Sequence, residues 1–365
     1  MCAVLAFTPV ESAVGGALIG LSAATYLLCY GRVLGFSGIL NQGTATPLTH
    51  GQLPALWRVL LLAGLVGGGL LSSKFTSFPL PTLDYPLSTY AWAGLVMGFG
   101  AASGQGCTSG HGICGLGRLS PRSLVAVLTF MSAAAAATYF AMHVADSCAA
   151  PGIAPLKMPA DLNAVLLPAG SVVGAMVATC LLVKMLDARG LGLLSDAAHA
   201  LLALSVGLTS GVGLVLAGML DQNKVRGFLD VAGVWDPSLA FVMGSGAAIS
   251  LGAHTMAKSM AKPYLSSAFA YPPSCEFGTK GSGSLKDPKL LLGSVAFGLS
   301  WGSLGICPGP SIVGLAGPFA GVDNPLRFPA FVLGTIVGFV LEDRMVYKSE
   351  GPPAPKPVPP ATAMQ

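Results

Sequence analysis

The sequence predicts an all-α integral membrane fold with about nine crossings, two inverted repeats, discontinuous helices and re-entrant half-helices. Three observations predict it. Charged residues make up 9% of the 365 positions and hydrophobic residues 53%, against roughly 25% charged in soluble domains, so lipid must solvate much of the surface. Apolar runs of span length recur along the chain. Two segments of the second half match two of the first. The 49 glycines fit this class, since small residues let helix backbones approach closely in a bilayer.

A span needs about 20 apolar residues. Val10 to Tyr30 is the first, too long for a signal h-region and without a basic n-region. Pro54 to Leu71, Pro121 to Val144, Leu162 to Met185, Ser195 to Leu220, Pro237 to Ala257 and Pro325 to Leu341 follow. Two further stretches are interrupted by glycine and proline: Trp92 to Gly117 at SGQGCTSGHG, and Lys289 to Phe319 at GICPGP. Each half is too short to span alone, so both read as broken helices meeting near the midplane, where protein or a cavity must satisfy the freed backbone. Arg32 to Leu40 and Lys224 to Ala232 read as half-helices dipping in from one side. Tyr271 to Lys289 reads as a polar loop, and the proline-rich tail from Gly351 as disordered.

The halves repeat. GRVLGFSGILNQ returns as NKVRGFLDVAG, and GLVMGFGAASGQGCTSGHG as GSVAFGLSWGSLGICPGP. Gly35 and Gly227 are 192 positions apart, Cys107 and Cys307 200. The implied division is a first repeat at 10–144, a connecting membrane helix within 145–190, a second repeat at 191–345 and a tail at 346–365. The first repeat crosses an even number of times and the connector once, so the second starts from the opposite face: an inverted repeat, as in many secondary transporters. With the N-terminus outside and the C-terminus inside, only Lys74, Lys157, Lys224, Arg226 and Arg327 of the 19 lysines and arginines lie on the outer face, a positive-inside bias. The expected location is a multi-pass plasma-membrane protein.

Composition also excludes. With a net charge of +4 and no basic run, nucleic acid is not an expected partner. No Walker loop, paired carboxylates or Ser-His-Asp arrangement stands in the chain, and no cofactor is implied. The cysteines at 2, 29, 107, 114, 148, 180, 275 and 307 follow neither a disulfide framework nor zinc spacing. Buried cysteine is usually a small hydrophobe, the reading for Cys29, Cys148, Cys180 and Cys275. Cys107 and Cys307 differ, because each stands at the break of one repeat.

The stretch GQGCTSGHGICGLGRLSPRS, Gly104 to Ser123, resembles the membrane proteins of the YeeE/YedE sulfur-transport family. The second half, from GLVLAGMLDQNKVRGFLDVAGVWDPSLAFVMG to WGSLGICPGP, resembles that family's companion chain, so the sequence looks like a fusion of the two. The resemblance covers roughly residues 12 to 342. It implies uptake of thiosulfate or a related small reduced-sulfur anion, with a cytosolic sulfur-carrier protein as a further partner. It also implies three cysteines along the path. Cys107 and Cys307 match two of them; Ser37 stands where the third is expected, which widens the substrate to polysulfide, sulfite or another oxyanion.

The residues around the breaks supply candidate roles. A thiol is a weak donor and polarizable acceptor, able to contact a soft terminal sulfur without trapping it, and conduction needs several weak sites. Thr108 and Ser109, and Pro310 and Ser311, open new half-helices whose N–H groups favour anions; tight helix crossing is the alternative use of this glycine-rich sequence. His111 reads as a path-lining donor or proton carrier, or as a satisfied packing residue, and Cys114 as a secondary path thiol. A Cys107–His111–Cys114 metal site lacks a fourth ligand, so no metal is expected. Arg118 and Arg122 read as inner-face anchors or as anion capture at the inner mouth. Lys224 and Arg226 read as entrance charges, or as partners of Asp221, Asp230 and Asp236. A transporter or facilitated channel, not an enzyme, is the leading expectation; a membrane thiol redox or sulfur-relay enzyme and a neutral-solute channel are the alternatives.

Overall fold

A computed structural model describes residues 6–51, 53–75, 84–145, 152–269, 287–319 and 324–350. Most of the polar loop expected before Lys289, the tail from Gly351, and Cys2, Cys148 and Cys275 lie outside these residues. The chain is helical almost throughout. Helix α1 (Pro9–Tyr30) leads to the short α2 (Phe36–Gly43) and α3 (Ala45–His50), then α4 (Leu56–Phe75) and α5 (Leu87–Ser103). A π-helical turn (Thr108–Gly115) precedes α6 (Pro121–Tyr139), and α7 (Asn163–Ala188) follows. The order then recurs as α8 (Gly192–Leu216), short α9 (Gln222–Leu229), α10 (Ser238–Ser259), α11 (Pro288–Leu304), α12 (Pro308–Val313) and α13 (Arg327–Glu350). Six helices among the described residues are long and apolar enough to cross a membrane, or seven counting α11 and α12 as one span bent by 51°. By the length and composition of these helices, this is a multi-pass α-helical membrane protein.

Local chemistry sets the boundaries. Ser120 caps α6, accepting from Ser123 N with Pro121 in the first turn, and Asp221 and Asp287 cap α9 and α11. Gly31 and Gly305 end α1 and α11 in the left-handed region, at φ 67° and 69°. The first half-helix begins at Phe36, not Arg32, because Gly35 is extended there. The second half of the first broken helix is a π turn, not an α-helix. One feature runs against an all-helical expectation: β1 (Gly152–Ile153) pairs in parallel with β2 (Val234–Trp235). It ties the loop before α7 to the loop after α9.

The two halves interleave. Helix α4 packs on α8 and α1 on α10; α5 packs on α13 and α6 on α11; α1 meets α8, and α5 meets α11. Glycines at four-residue spacing make the approaches. A Cβ on Gly64 or Gly207 would overlap the Leu204 or Leu61 carbonyl across α4 and α8, and Gly68 and Gly211 repeat the contact one turn on. Gly94 and Gly98 meet the Phe331 and Thr335 carbonyls of α13, and Gly298 and Gly302 meet those of Phe130 and Ala134 in α6. Without a hydrophobic force between helices in lipid, this contact is what holds them. Helix α7 lies at the periphery, with Leu167, Val177 and Leu181 exposed.

We expect Gly98→Leu to destabilise the detergent-solubilised protein by at least about 1–3 kcal/mol through overpacking. Gly174→Leu, where a Cβ meets nothing within 4 Å, leaves thermal unfolding unchanged. Equal melting profiles for the two variants contradict the close-packing account.

Candidate functional site

The site is built where two helices are interrupted. Helix α5 ends at Ser103, and the chain passes through an extended Cys107 (φ −136°, ψ −172°) into the π turn. Helix α11 ends at Leu304, and the chain passes through an extended Cys307 (φ −126°, ψ 169°) into α12. Each cysteine is thus the residue that stands at the cap position of a restarted helix, in nearly the same backbone conformation.

The breaks free backbone groups that cannot stay unpaired at membrane depth. Gln222 Nε2 donates to Leu304 O at 2.8 Å, while its Oε1 accepts from Tyr90 Oη at 3.2 Å; the side chain is fully buried. Near the first break, Phe36 N donates to Ser109 Oγ at 3.3 Å and Cys114 Sγ to Leu34 O at 3.4 Å. His111 Nε2 donates to Gly104 O at 3.0 Å, leaving Nδ1 to accept from Ser123 Oγ at 3.1 Å. Glycine at 106 admits this ring, since a Cβ there would lie 2.6 Å from it. Gln222 thus satisfies the second break from α9 and His111 the first from within the π turn, while Ser109 and Cys114 of that turn satisfy the backbone that leads into α2.

Between the repaired breaks lies a cavity of about 30 Å³, roughly twice the least space that holds one water. Cys107 and Cys307 both line it, with Thr108, Ser109 and Pro310. Thr108 Oγ1 donates to Cys307 Sγ at 3.7 Å, and Cys107 Sγ shares a hydrogen bond with Ser109 Oγ at 3.2 Å. Phe36, Met219 and Met243 stand in the rest of the wall, among other apolar side chains. The Phe36 ring packs where Gly309 has no side chain; a Cβ there would stand 2.6 Å from it.

Of the other residues singled out from sequence, Ser37 is buried beside Phe36 but is not in the cavity wall, nor are His111, Cys114 and Ser311. Ser311 Oγ donates to Pro308 O within α12. Lys224 is buried, with Nζ 3.0 Å from Asp236, 2.9 Å from Ser238 Oγ and 2.8 Å from Ala6 O. Arg122 Nη2 reaches Asp287 at 3.2 Å and Gln105 at 3.4 Å. Arg118, Arg122 and Arg226 are all buried, and each keeps at least one guanidinium nitrogen without a protein partner among the described residues.

Sequence reasoning missed Phe36, Met219, Met243 and Gln222. A signal existed for the first: Gly35-Phe36 and Gly227-Phe228 are the same dipeptide in both half-helices. It also missed a second, polar cavity of about 410 Å³ at the ends of α1 and α7 and the start of α8, lined by Tyr30, Arg32, Asp187, Ser195 and His199 among others. Tyr30 Oη lies 2.9 Å from His199 Nδ1, and His199 Nε2 3.4 Å from Asp187. No group of three or more metal-ligating side chains occurs among the described residues.

Known proteins resemble this chain in both halves. A family described as sulphur transport matches residues 3–136, and a family of unknown function (DUF6691) matches residues 198–350. A probable transporter of Xylella fastidiosa strain Temecula1 is 35% identical over 148 residues, covering 40% of this chain and 90% of the relative. A second probable transporter of that strain is 43% identical over 131 residues, covering 35% of this chain and 93% of the relative. No solved structure matches. The chain therefore belongs to the YeeE/YedE-like sulphur-transport family of membrane proteins.

Proposed function

We propose that the chain carries thiosulfate or a related small reduced-sulfur anion across the plasma membrane, past Cys107 and Cys307. The supporting observation is that two cysteines, each capping one interrupted helix, line a single cavity. A soft terminal sulfur meets two weak S–H donors and the Thr108 hydroxyl there, contacts too weak to trap it. The π turn adds free N–H groups at its start, which favour an anion. Buried guanidinium nitrogens of Arg118, Arg122 and Arg226 without a protein partner suit anion passage better than neutral-solute passage. Lys224, held by Asp236, acts in stability rather than capture.

The cavity between the breaks is narrow. Passage requires the flexible Met219 and Met243 side chains and the Phe36 ring to move. We read the molecule as two inverted repeats, at 10–144 and 191–345, fused through the connecting helix in 145–190, with nine crossings and the N-terminus outside. The exchanged packing supports this: α1 and α4 of one half contact α10 and α8 of the other. An even number of crossings in the first half followed by one in the connector starts the second half from the opposite face, antiparallel to the first. A cytosolic sulfur-carrier protein is a fitting acceptor on the inner side.

Uptake of labelled thiosulfate into cells lacking their own importers tests the reading. Wild type accumulates label, and Cys107→Ala or Cys307→Ala lowers the rate at least about tenfold at matched membrane expression, the effect of losing roughly 1.4 kcal/mol of barrier stabilisation. Wild-type flux in both variants contradicts the thiol path. Conversion of thiosulfate without accumulation favours the thiol-enzyme alternative. A fluorescent protein fused after residue 350 stays bright if the C-terminus is inside; a dark fusion at equal expression overturns the orientation.

A further inference from the structure

Cys29 and Cys180 are 151 residues apart in sequence, yet their sulfurs lie 3.3 Å apart. The first is the penultimate residue of α1 and is buried; the second is in α7 and half-buried. Neither lines the central cavity. The separation is shorter than ordinary contact between sulfur atoms, yet longer than the roughly 2.05 Å of a disulfide. The two thiols are free and share a hydrogen bond.

Their surroundings set them apart from a chance contact. The chain at 264–265 lies over the end of α1: Tyr264 N donates to Leu28 O at 2.9 Å and Leu265 N to Cys29 O at 2.8 Å. The next residue, Tyr30, lines the polar 410 Å³ cavity and bonds His199 of α8, which pairs with Asp187 of α7. Asp187 also accepts from Ser195 Oγ. So α7 is tied to the α1 end twice, by thiol contact and through the Asp187–His199–Tyr30 chain. Helix α7 has no counterpart within either half; it connects them. A covalent bond here would fix the connector to the first half beside the polar cavity.

We propose that Cys29 and Cys180 form a redox-active dithiol that a small organic disulfide converts to an intramolecular disulfide. Cys180, the more exposed, attacks one sulfur of the reagent, forming a mixed disulfide and releasing one thiolate. Cys29 then attacks the Cys180 sulfur, forming the Cys29–Cys180 bond and releasing the second. The two protein thiols are oxidised, the reagent is reduced to two thiols, and the two thiol protons pass to the two leaving groups. A small dithiol reverses the reaction. Such a pair stays reduced in a reducing compartment and closes when disulfide accumulates.

The test treats the full-length protein in detergent with dithiodipyridine, an apolar disulfide, then alkylates and maps peptides by mass spectrometry. The expected product is a Cys29–Cys180 linked peptide at least about tenfold above any other linked pair, including Cys107–Cys307, and it disappears on dithiothreitol treatment. In Cys180→Ala, an alteration on the outer helix that spares the buried partner, Cys29 is recovered alkylated or as a thiopyridyl adduct. Two separate modified peptides in the wild type, or random pairing among all cysteines, overturns the proposal.

Discussion

Backbone-to-backbone contact between helices is the constraint on which the rest of this structure depends. In lipid, apolar side chains gain nothing from leaving the solvent for each other, so helices associate through close fit. Here the fit is between glycines and carbonyls. Gly64 and Gly207 face each other across α4 and α8, and Gly94 and Gly98 bring α5 onto the Phe331 and Thr335 carbonyls of α13. Each contact joins a helix of one half to a helix of the other. Neither half therefore keeps its packing partners without its companion, which gives a physical reason for joining them in one chain.

Interleaving also makes the interruptions tolerable. A broken helix at membrane depth exposes carbonyls and amides that water cannot reach. The carbonyl of Leu304 is met by Gln222, that of Gly104 by His111, and the amide of Phe36 by Ser109. With these backbone groups satisfied, the two cysteines at the breaks are left for other work. Cys107 and Cys307 border the cavity. His111, whose position suggests a path residue, has both ring nitrogens occupied, by Gly104 O and Ser123 Oγ.

Much of this was legible in the sequence. Six of the seven uninterrupted runs read as spans are helices long and apolar enough to cross, while Pro325 to Leu341, largely in α13, is not among them; both breaks follow from glycine and proline inside such runs. The two cysteine breaks were paired by their near-constant spacing in the two halves. What was not legible is non-local. The polar cavity is assembled from the ends of α1 and α7, the start of α8 and Leu265 and Ser266, none of which carries a motif. Cys29 and Cys180 read as packing residues because nothing local marks either; only the fold places them together. The start of the first half-helix was misplaced because no proline or cap signal in Arg32 to Leu34 marks the boundary, while the extended backbone at Gly35 decides it. The π turn was missed because a hydropathy pattern does not distinguish a five-residue from a four-residue hydrogen-bond ladder.

The account turns on where the anion's terminal sulfur sits. Selenosulfate, in which selenium replaces that sulfur, places a strong anomalous scatterer on the atom in question. In crystals of the full-length protein grown with selenosulfate, the account predicts an anomalous peak between Cys107 Sγ and Cys307 Sγ, in the cavity walled by Phe36, Met219 and Met243. A peak confined to the polar cavity at Tyr30 and His199, or selenium bound while the central cavity stays unchanged and empty, would contradict it.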